Sequence, residues 1–373
     1  MNRIARAALL LILGGVALGG RSEAGPLDPT QFASLGSLVL NPGSYTIDSS
    51  AGVLALNAGG STFFGVISDG VAVFDFDSIT IARGAVLTAA QGPGGLPIAL
   101  LSRSFETING TIDVSAFGNQ AGPGASFFGV GGSGISGRDP AAGNTPGASG
   151  SGSSGAGGGG FGGAGGQGGQ VNFTFPNRLE GGAGGDSYAR LSSVLLGGSR
   201  GGTGFFGRNS LAGFGGGAIE LGAARDLTVS GAILANGADA LGGDGSGGGS
   251  GGGIFLHATS VTLSGRLNVQ GGAGGFTSAN DRSGDGGGGG GGGGQILVES
   301  APGQFTQTGA RIFLAGGQGG DGAGGFAGSA GQDGQFVALA VPEPSSLALL
   351  GISTLGLLGY AGLRRRAHPR PAA

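Results

Sequence analysis

Glycine occupies 97 of the 373 positions, roughly a quarter, where an ordinary globular chain has about 7%. A chain with so few side chains can form a core only if its apolar residues recur at fixed places between the glycines. No Gly-X-Y period runs through the chain, which excludes a collagen triple helix. Yet 39% of the residues are hydrophobic, more than a disordered glycine linker carries. Where those residues fall therefore decides the fold.

They fall in repeats. Aligned on one glycine, "GGAIELGAARDLTVSGAILANG" has its reference position at Gly231 and "GGGIFLHATSVTLSGRLNVQGG" at Gly265. "GGQILVESAPGQFTQTGARIFLAGG" follows at Gly309, "LPIALLSRSFETINGTIDVSAFG" matches upstream at Gly110, and "FDFDSITIARGAVLTAAQG" matches loosely at Gly84. Each unit has three short alternating runs. In one these are Ile254/Leu256, Val261/Leu263 and Leu267/Val269; the unit before has Ile219/Leu221, Leu227/Val229 and Ile233. Alternation with period two marks strands with one buried face. Strands this short cannot bury a face alone, but stacked units can.

The expected fold is therefore all-β, a parallel β-helix (solenoid) with long glycine-rich loops. Units are spaced by 26 residues (Gly84 to Gly110), 34 (Gly231 to Gly265) and 44 (Gly265 to Gly309). The variable part follows the third strand and is almost pure glycine. These tracts, and the large insert from Gly118 to Gly217, are expected as exposed loops leaving one corner, where length costs little. "GQFVALAV" starts one more unit. Glu106 departs from the pattern, standing where other units have an apolar residue; either its strand shifts by one or its carboxylate is paired.

The ends carry a different code. "MNRIARAALLLILGGVALGGRSEAGP" has Arg3 and Arg6, an apolar stretch from Ala7 to Gly20, and the small residues Ser22 and Ala24. This is a signal peptide with its cut after Ala24. Ser345 to Leu363 is 19 residues, about 28 Å as a helix, close to the thickness of a bilayer core. Arg364, Arg365 and Arg366 would remain on the cytoplasmic side. One C-terminal transmembrane helix and a body outside the inner membrane follow. The organisation is then a signal peptide at 1–24, first coils at 25–117, a glycine-rich insert at 118–217, further coils at 218–340, a tail signal at 341–366 and a cytoplasmic end at 367–373.

Val341-Pro342-Glu343-Pro344, the apolar helix and the arginine cluster together resemble the PEP-CTERM sorting signal of Gram-negative bacteria. The resemblance implies processing by an exosortase in the inner membrane and delivery to the cell surface or the exopolysaccharide matrix. It covers about the last thirty residues and implies an address rather than an activity. The body, with "INGTIDVSAFG" from Ile108, resembles the glycine-rich repeat proteins of bacterial surfaces.

Few residues are available for chemistry. Charged residues are 10% of the chain and the formal net charge is −3, so no basic face exists for nucleic acid. With no cysteine, zinc–thiolate sites and thiol nucleophiles are excluded. Asp75 and Asp77, two apart, would share an outward strand face with Phe74 and Phe76 inward. Paired carboxylates on a β-helix suit polysaccharide cleavage if Asp75, Asp77, Asp113 and Glu106 converge in one groove. Asp239, Asp244, Asp285, Asp321 and Asp333 lie in glycine tracts, where turn chemistry competes with calcium binding. His257 alternates out of phase with Leu256 and is expected on the surface. Phe127/Phe128, Phe173/Phe175 and Phe205/Phe206 could stack on sugars or pin the insert. The reading that follows is an exported, non-enzymatic surface or matrix protein with no catalytic residue, cofactor or metal. Its partners are an exosortase, transiently the inner membrane, and extracellular polysaccharide. The alternative is a β-helical carbohydrate-active enzyme or a polysaccharide-binding or adhesin module.

Overall fold

The computed structural model describes residues 26–50, 52–89, 95–125, 148–149, 152–170, 180–188, 191, 195–204, 212–241, 245–277, 286–323 and 326–341. The signal-peptide residues Ser22 and Ala24 and the tail beyond Val341 lie outside the described residues. So do the paired phenylalanines of the insert, Asp244 and Asp285. Among the described residues no helix is long and apolar enough to cross a membrane.

The described residues are all-β apart from one 3₁₀ turn at Pro29–Gln31, capped by Asp28. The first strands are β1 (Ser37–Leu40), β2 (Gly43–Ser50), β3 (Val53–Ala58), β4 (Ser61–Phe64), β5 (Val66–Ser68), β6 (Val71–Phe76) and β7 (Ser78–Ile81). Next come β8 (Ala85–Ala89), β9 (Ile98–Ser102), β10 (Phe105–Ile108), β11 (Thr111–Asp113) and the short pair β12 (Ala148–Ser149) and β13 (Gly152–Ser153). The rest are β14 (Ala218–Val229), β15 (Ala232–Leu234), β16 (Gly253–Leu263), β17 (Arg266–Asn268), β18 (Gln295–Ser300), β19 (Phe305–Gln307), β20 (Arg311–Phe313) and β21 (Gln335–Ala340).

Most of these strands pair in parallel, unit upon unit. One stack contains β6, β9, the first half of β14, the first half of β16, β18 and β21. A second contains β1, β7, β10, the second halves of β14 and β16, and β19. The third contains β2, β8, β11, β15, β17 and β20. Strands β14 and β16 each turn a corner and so serve two stacks; their register shifts between Ala223 and Asp226. The sheets are mixed, not purely parallel: β2–β3–β4 and β5–β6 are antiparallel hairpins at the N-terminal end.

The alternating residues fill one core. Ile219, Leu221, Leu227, Val229 and Ile233 stack in register on Ile254, Leu256, Val261, Leu263 and Leu267, and all are buried. Burying each such side chain contributes about 1.5–3 kcal/mol. The reference glycines stack at a corner: a Cβ on Gly231 would lie 1.9 Å from the Gly110 carbonyl, and one on Gly265 2.1 Å from that of Gly231. From β6 to β18 the first stack is buried on both faces. Its outward residues Val71, Val73, Leu101, Phe255 and Leu297 form a second cluster with Phe161, Leu191 and Leu195 of the insert. That is why these strands read as unbroken apolar runs ("VAVF", "IALL", "ILV") rather than as alternation.

The glycine tracts are not exposed loops, and this corrects the expectation from sequence. Most of their described residues are buried, and their amides bond to one another. Segment 286–294 lies at the centre. Gly287, Gly290 and Gly293 donate to Phe326, Ser329 and Gln332 at 2.8–3.1 Å; Gly288, Gly291 and Gly294 donate to Gly275, Gly272 and Val269 at 2.7–2.9 Å. Gly289 and Gly292 donate to Ala156 and Gly159, both at 2.8 Å. Its carbonyls accept from Gly163, Gly166 and Gly169, from Gly248 and Gly251, and from Gly317 and Gly320. Six segments therefore surround it, and each is met every third residue. Three residues per turn is the period of the polyproline II helix, which makes no internal hydrogen bonds and leaves each amide for a neighbour.

This packing explains the glycine pattern. In the centre every residue faces a neighbour, and every position from Gly286 to Gly294 is glycine. A Cβ on Gly290 would lie 2.0 Å from the Gly317 carbonyl. Segment 315–321 turns two of every three positions toward a neighbour's backbone: Gly316, Gly317, Gly319 and Gly320 face carbonyls, whereas Ala315, Gln318 and Asp321 are exposed. At the edge, Gly328, Gly331 and Gly334 alone face inward, toward Gly288, Gly291 and Gly294. A chain-wide Gly-X-Y period is absent, but local triplets ("GGAGGQGGQ" at 162–170, "GGQGGD" at 316–321) record which positions of a segment face a neighbour's carbonyl.

Candidate functional site

The four acidic residues that could have formed a cleavage site are not brought together. Asp75 lies in β6 with Phe74 and Phe76 turned into the core. It is not a solvated outward residue: it is 2% exposed and paired with Arg103, Nε to Oδ2 at 3.0 Å. Asp77 follows the strand at a bend and accepts from the Ser34 hydroxyl at 2.7 Å. Asp113 belongs to the third stack, in β11, and accepts from the Ser115 amide.

Glu106 points into the core. It is 0% exposed, its strand is not shifted, and it sits in register between Ile79 and Leu227. Neither carboxylate oxygen has a partner, so neither of the two sequence expectations for Glu106 holds. Burial holds its carboxyl well above the usual range and favours the neutral acid.

Asp75 serves the chain's own N-terminal arm. Burial pushes its carboxyl up, and the hydrogen bond and charge of Arg103 pull against that. Arg103 in turn donates to the Phe32 carbonyl, and the Leu35 amide donates to the Asp75 carbonyl at 2.8 Å. Asp75 and Arg103 together fasten residues 32–35 to the first stack.

His257 corrects another expectation, since it is 8% exposed rather than a surface residue. Its Nε2 lies 2.9 Å from Glu220 Oε1, the same oxygen that accepts the Leu27 amide at 2.8 Å. Gly222 makes this possible. It is the direct register partner of His257, and a Cβ there would stand 2.2 Å from Nε2. The ring leans across the bare glycine to reach Glu220. Glu299, next along the ladder, has its carboxyl raised by burial, with the nearby histidine opposing. The sequence signal was a carboxylate two before a glycine in one unit and a histidine at the glycine's position in the next.

Both ends of the described chain meet beside this pair. Pro26 and Val341 line one shallow cavity of about 220 Å³ with His257, Thr259 and Glu299. The Val341 amide, the first of the sorting motif, donates to the Ser300 carbonyl at 2.8 Å. A second cavity of about 390 Å³ lies on the third stack between Thr88, Asp113, Phe117 and Gln120, and Phe117 is 76% exposed there.

In the bundle, Asp239 accepts from the Ala273 amide at 2.7 Å and Asp333 from the Gly316 amide at 3.2 Å. The Asp321 carbonyl accepts from the Thr277 amide at 3.0 Å. Among the described residues no three His, Cys, Asp or Glu side chains gather as metal ligands.

Residues 340–366 match the PEP-CTERM protein-sorting motif. The tail therefore marks an exported protein, transiently anchored in the membrane and sorted by an exosortase. The match takes in Pro342, Glu343, Pro344 and Arg364–Arg366. Neither a curated protein nor a solved structure matches the chain.

Proposed function

We propose that the body delivered by this tail is a non-enzymatic structural protein of the cell surface or the extracellular matrix. Its three strand stacks wind as a parallel β-helix closed at the N-terminal end by hairpins, with the glycine bundle packed along one side. The observation that carries the reading is the sorting match at 340–366. Two features of the body support it. The pairs Asp75–Arg103 and Glu220–His257 hold the chain's own N-terminal arm, and among the described residues Glu106 is enclosed in the core, Asp113 lies in the third stack, and Asp239 and Asp333 accept from bundle amides. Glycoside cleavage needs two carboxyl groups about 5–9.5 Å apart across a bond. Replacing Pro342, Glu343 and Pro344 with alanine should hold the protein in the inner membrane of its host; delivery to the surface at the wild-type level would refute the sorting assignment.

A second reading, polysaccharide binding, is favoured by Phe117, an exposed ring beside Asp113 and Gln120. Aromatic faces stack on sugars while polar neighbours fix their orientation. Phe117→Ala should reduce retention on the host's exopolysaccharide without altering the fold, and equal retention would remove this reading.

A further inference from the structure

The outer face of the third stack ends in two like charges. Along one outward row the register runs Ser44, Val86, Thr111, Ala232, Arg266, Arg311, one residue per strand from β2 to β20. The first four are uncharged. The last two stand directly opposite each other, and both are exposed. Their strands are about 4.8 Å apart, and like charges placed this way weaken a sheet. The local sequence does not offset them: from Val261 to Gly275 and from Ala301 to Gly320 they are the only charged residues. The ion pairs among the described residues are Asp75–Arg103 and Glu220–His257, so neither of these arginines has a carboxylate partner. Asp113, in the neighbouring outward row, lies two strands before β17 and accepts from the Ser115 amide.

One member of the pair is held in place. The Arg266 guanidinium lies over the ring of Phe313, 4.7 Å from its centroid. Phe313 is two residues after Arg311 on β20 and so shares its face of the sheet. A guanidinium laid on a ring loses freedom but keeps the N–H groups at its edge. Beside them stand the donors of Arg311. A carboxylate suits such donors, because guanidiniums take its two oxygens in parallel N–H···O bonds. A carboxylate group placed between the two also removes their repulsion.

We propose that Arg266 and Arg311 form a binding site for an acidic polysaccharide, one whose sugars carry carboxylate groups. The charge of the ligand follows from the unpaired guanidiniums. Its polymeric nature follows from the openness of the site. The pair lines neither of the two cavities, so a small free anion would stay in contact with water and leave easily. A polymer with an acid group on many of its sugars offers the next group when one lets go. The formal net charge of the chain is −3, so a polyanion is drawn by this local pair and not by the protein as a whole. The proposal rests on the polysaccharide-binding reading, gives it a charge, and adds a contact on the same stack that is separate from Phe117.

The test passes the full chain, in mild detergent, over immobilised polygalacturonate, heparin and dextran at rising salt. Polygalacturonate should hold wild type more strongly than dextran does. The double variant Arg266→Gln, Arg311→Gln should bind it about tenfold more weakly, the loss expected for charged hydrogen bonds, with an unchanged circular dichroism spectrum. The arginines of the tail are present in both proteins, so the difference reports the pair alone. Arg311→Lys keeps the charge but not the paired N–H edge and should fall between. Phe117→Ala should bind polygalacturonate as wild type does, so this site and the Phe117 reading fail separately. Equal binding by wild type and the double variant, or equal binding to dextran and polygalacturonate, would overturn the proposal. Binding to heparin with none to polygalacturonate would overturn the carboxylate and assign the pair to sulfate groups. Capture of wild type but not of the double variant by anionic phospholipid vesicles, with polygalacturonate holding neither, would assign it to a lipid surface instead.

Discussion

The strand stacks and the glycine bundle solve opposite problems with the same backbone. In the stacks, amides pair within sheets and side chains are buried: Leu263, Val261 and Leu267 are enclosed by their counterparts one unit away. In the bundle there is almost nothing to bury but backbone, and amides pair in three directions around each segment. Ordering a residue costs roughly 1–2 kcal/mol, and glycine has more freedom to lose than other residues. A net hydrogen bond returns only about 0.5–1.5 kcal/mol. The bundle therefore gains little by itself. It is fastened by Phe161, Leu191 and Leu195 to the outer face of the first stack, and by the strands that feed each tract. The stacks tolerate changes that keep inward volume, whereas the bundle tolerates no Cβ where segments meet.

The largest effect should come from the centre of the bundle. Replacing Gly287 to Gly293 with alanine places seven Cβ atoms, each 1.9–2.1 Å from a neighbour's carbonyl oxygen, and six surrounding segments lose their common partner. Hydrogen exchange should show amide protection lost through 155–169 and 315–334. Protection that stays at the wild-type level in those segments would mean that the tracts are ordinary loops after all.

Leu263→Asp strikes the other region. The side chain is buried in register with Val229, and an unpaired charge there costs several kcal/mol. Circular dichroism should show the loss of strand signal, and the bundle should go with it, because every tract is strung between strands. Bundle amides that stay protected in this variant would show the two regions to be independent.

How legible the two regions were in the sequence differs for the same physical reason. The stacks advertise themselves: the alternation at Ile254/Leu256 and Val261/Leu263 is a side-chain pattern, and the reference glycines fall in register. The bundle is held by backbone, which every residue has, so its only trace is where side chains are missing. The triplets at 162–170 and 316–321 are that trace, and a search for one chain-wide period passes over them. Glu106 was visible as an anomaly, but burial without a partner is a property of the packed core. His257 seemed exposed because alternation gives the side of the sheet and not what covers it. The cover here is the arm at Leu27, far away in sequence.

A single methyl group gives a finer comparison. Gly290→Ala should lower stability by about 1–3 kcal/mol, the usual cost of overpacking, because its Cβ meets the Gly317 carbonyl at 2.0 Å. Gly52→Ala, where nothing lies within 4 Å, should change stability by less than about 0.5 kcal/mol. Equal shifts in chemical denaturation for the two variants would mean that glycine is needed in the bundle for chain freedom and not for close approach.

An effect of similar size but opposite sign, and one that pH can read, concerns Glu106. Its neighbours in register, Ile79 and Leu227, are fully buried, so Glu106→Leu makes the inward row continuous. Removing an unsatisfied buried polar group should stabilise the protein by about 1–3 kcal/mol. The gain depends on pH. The folded state keeps the Glu106 proton because burial raises its pKa, whereas the unfolded chain releases it near the ordinary value of 4.5. Above that value the folded state binds more protons than the unfolded one, so this group makes stability fall as pH rises, until the raised folded pKa is reached. Below 4.5 both states are protonated and the term vanishes. The advantage of Glu106→Leu over wild type should therefore be smallest at pH 4 and should widen toward pH 8 in thermal melts. Glu106→Gln should remove the widening but keep the cost of a buried polar group. A leucine variant less stable than wild type at pH 8 would mean that the folded core holds a partnered carboxylate at this position.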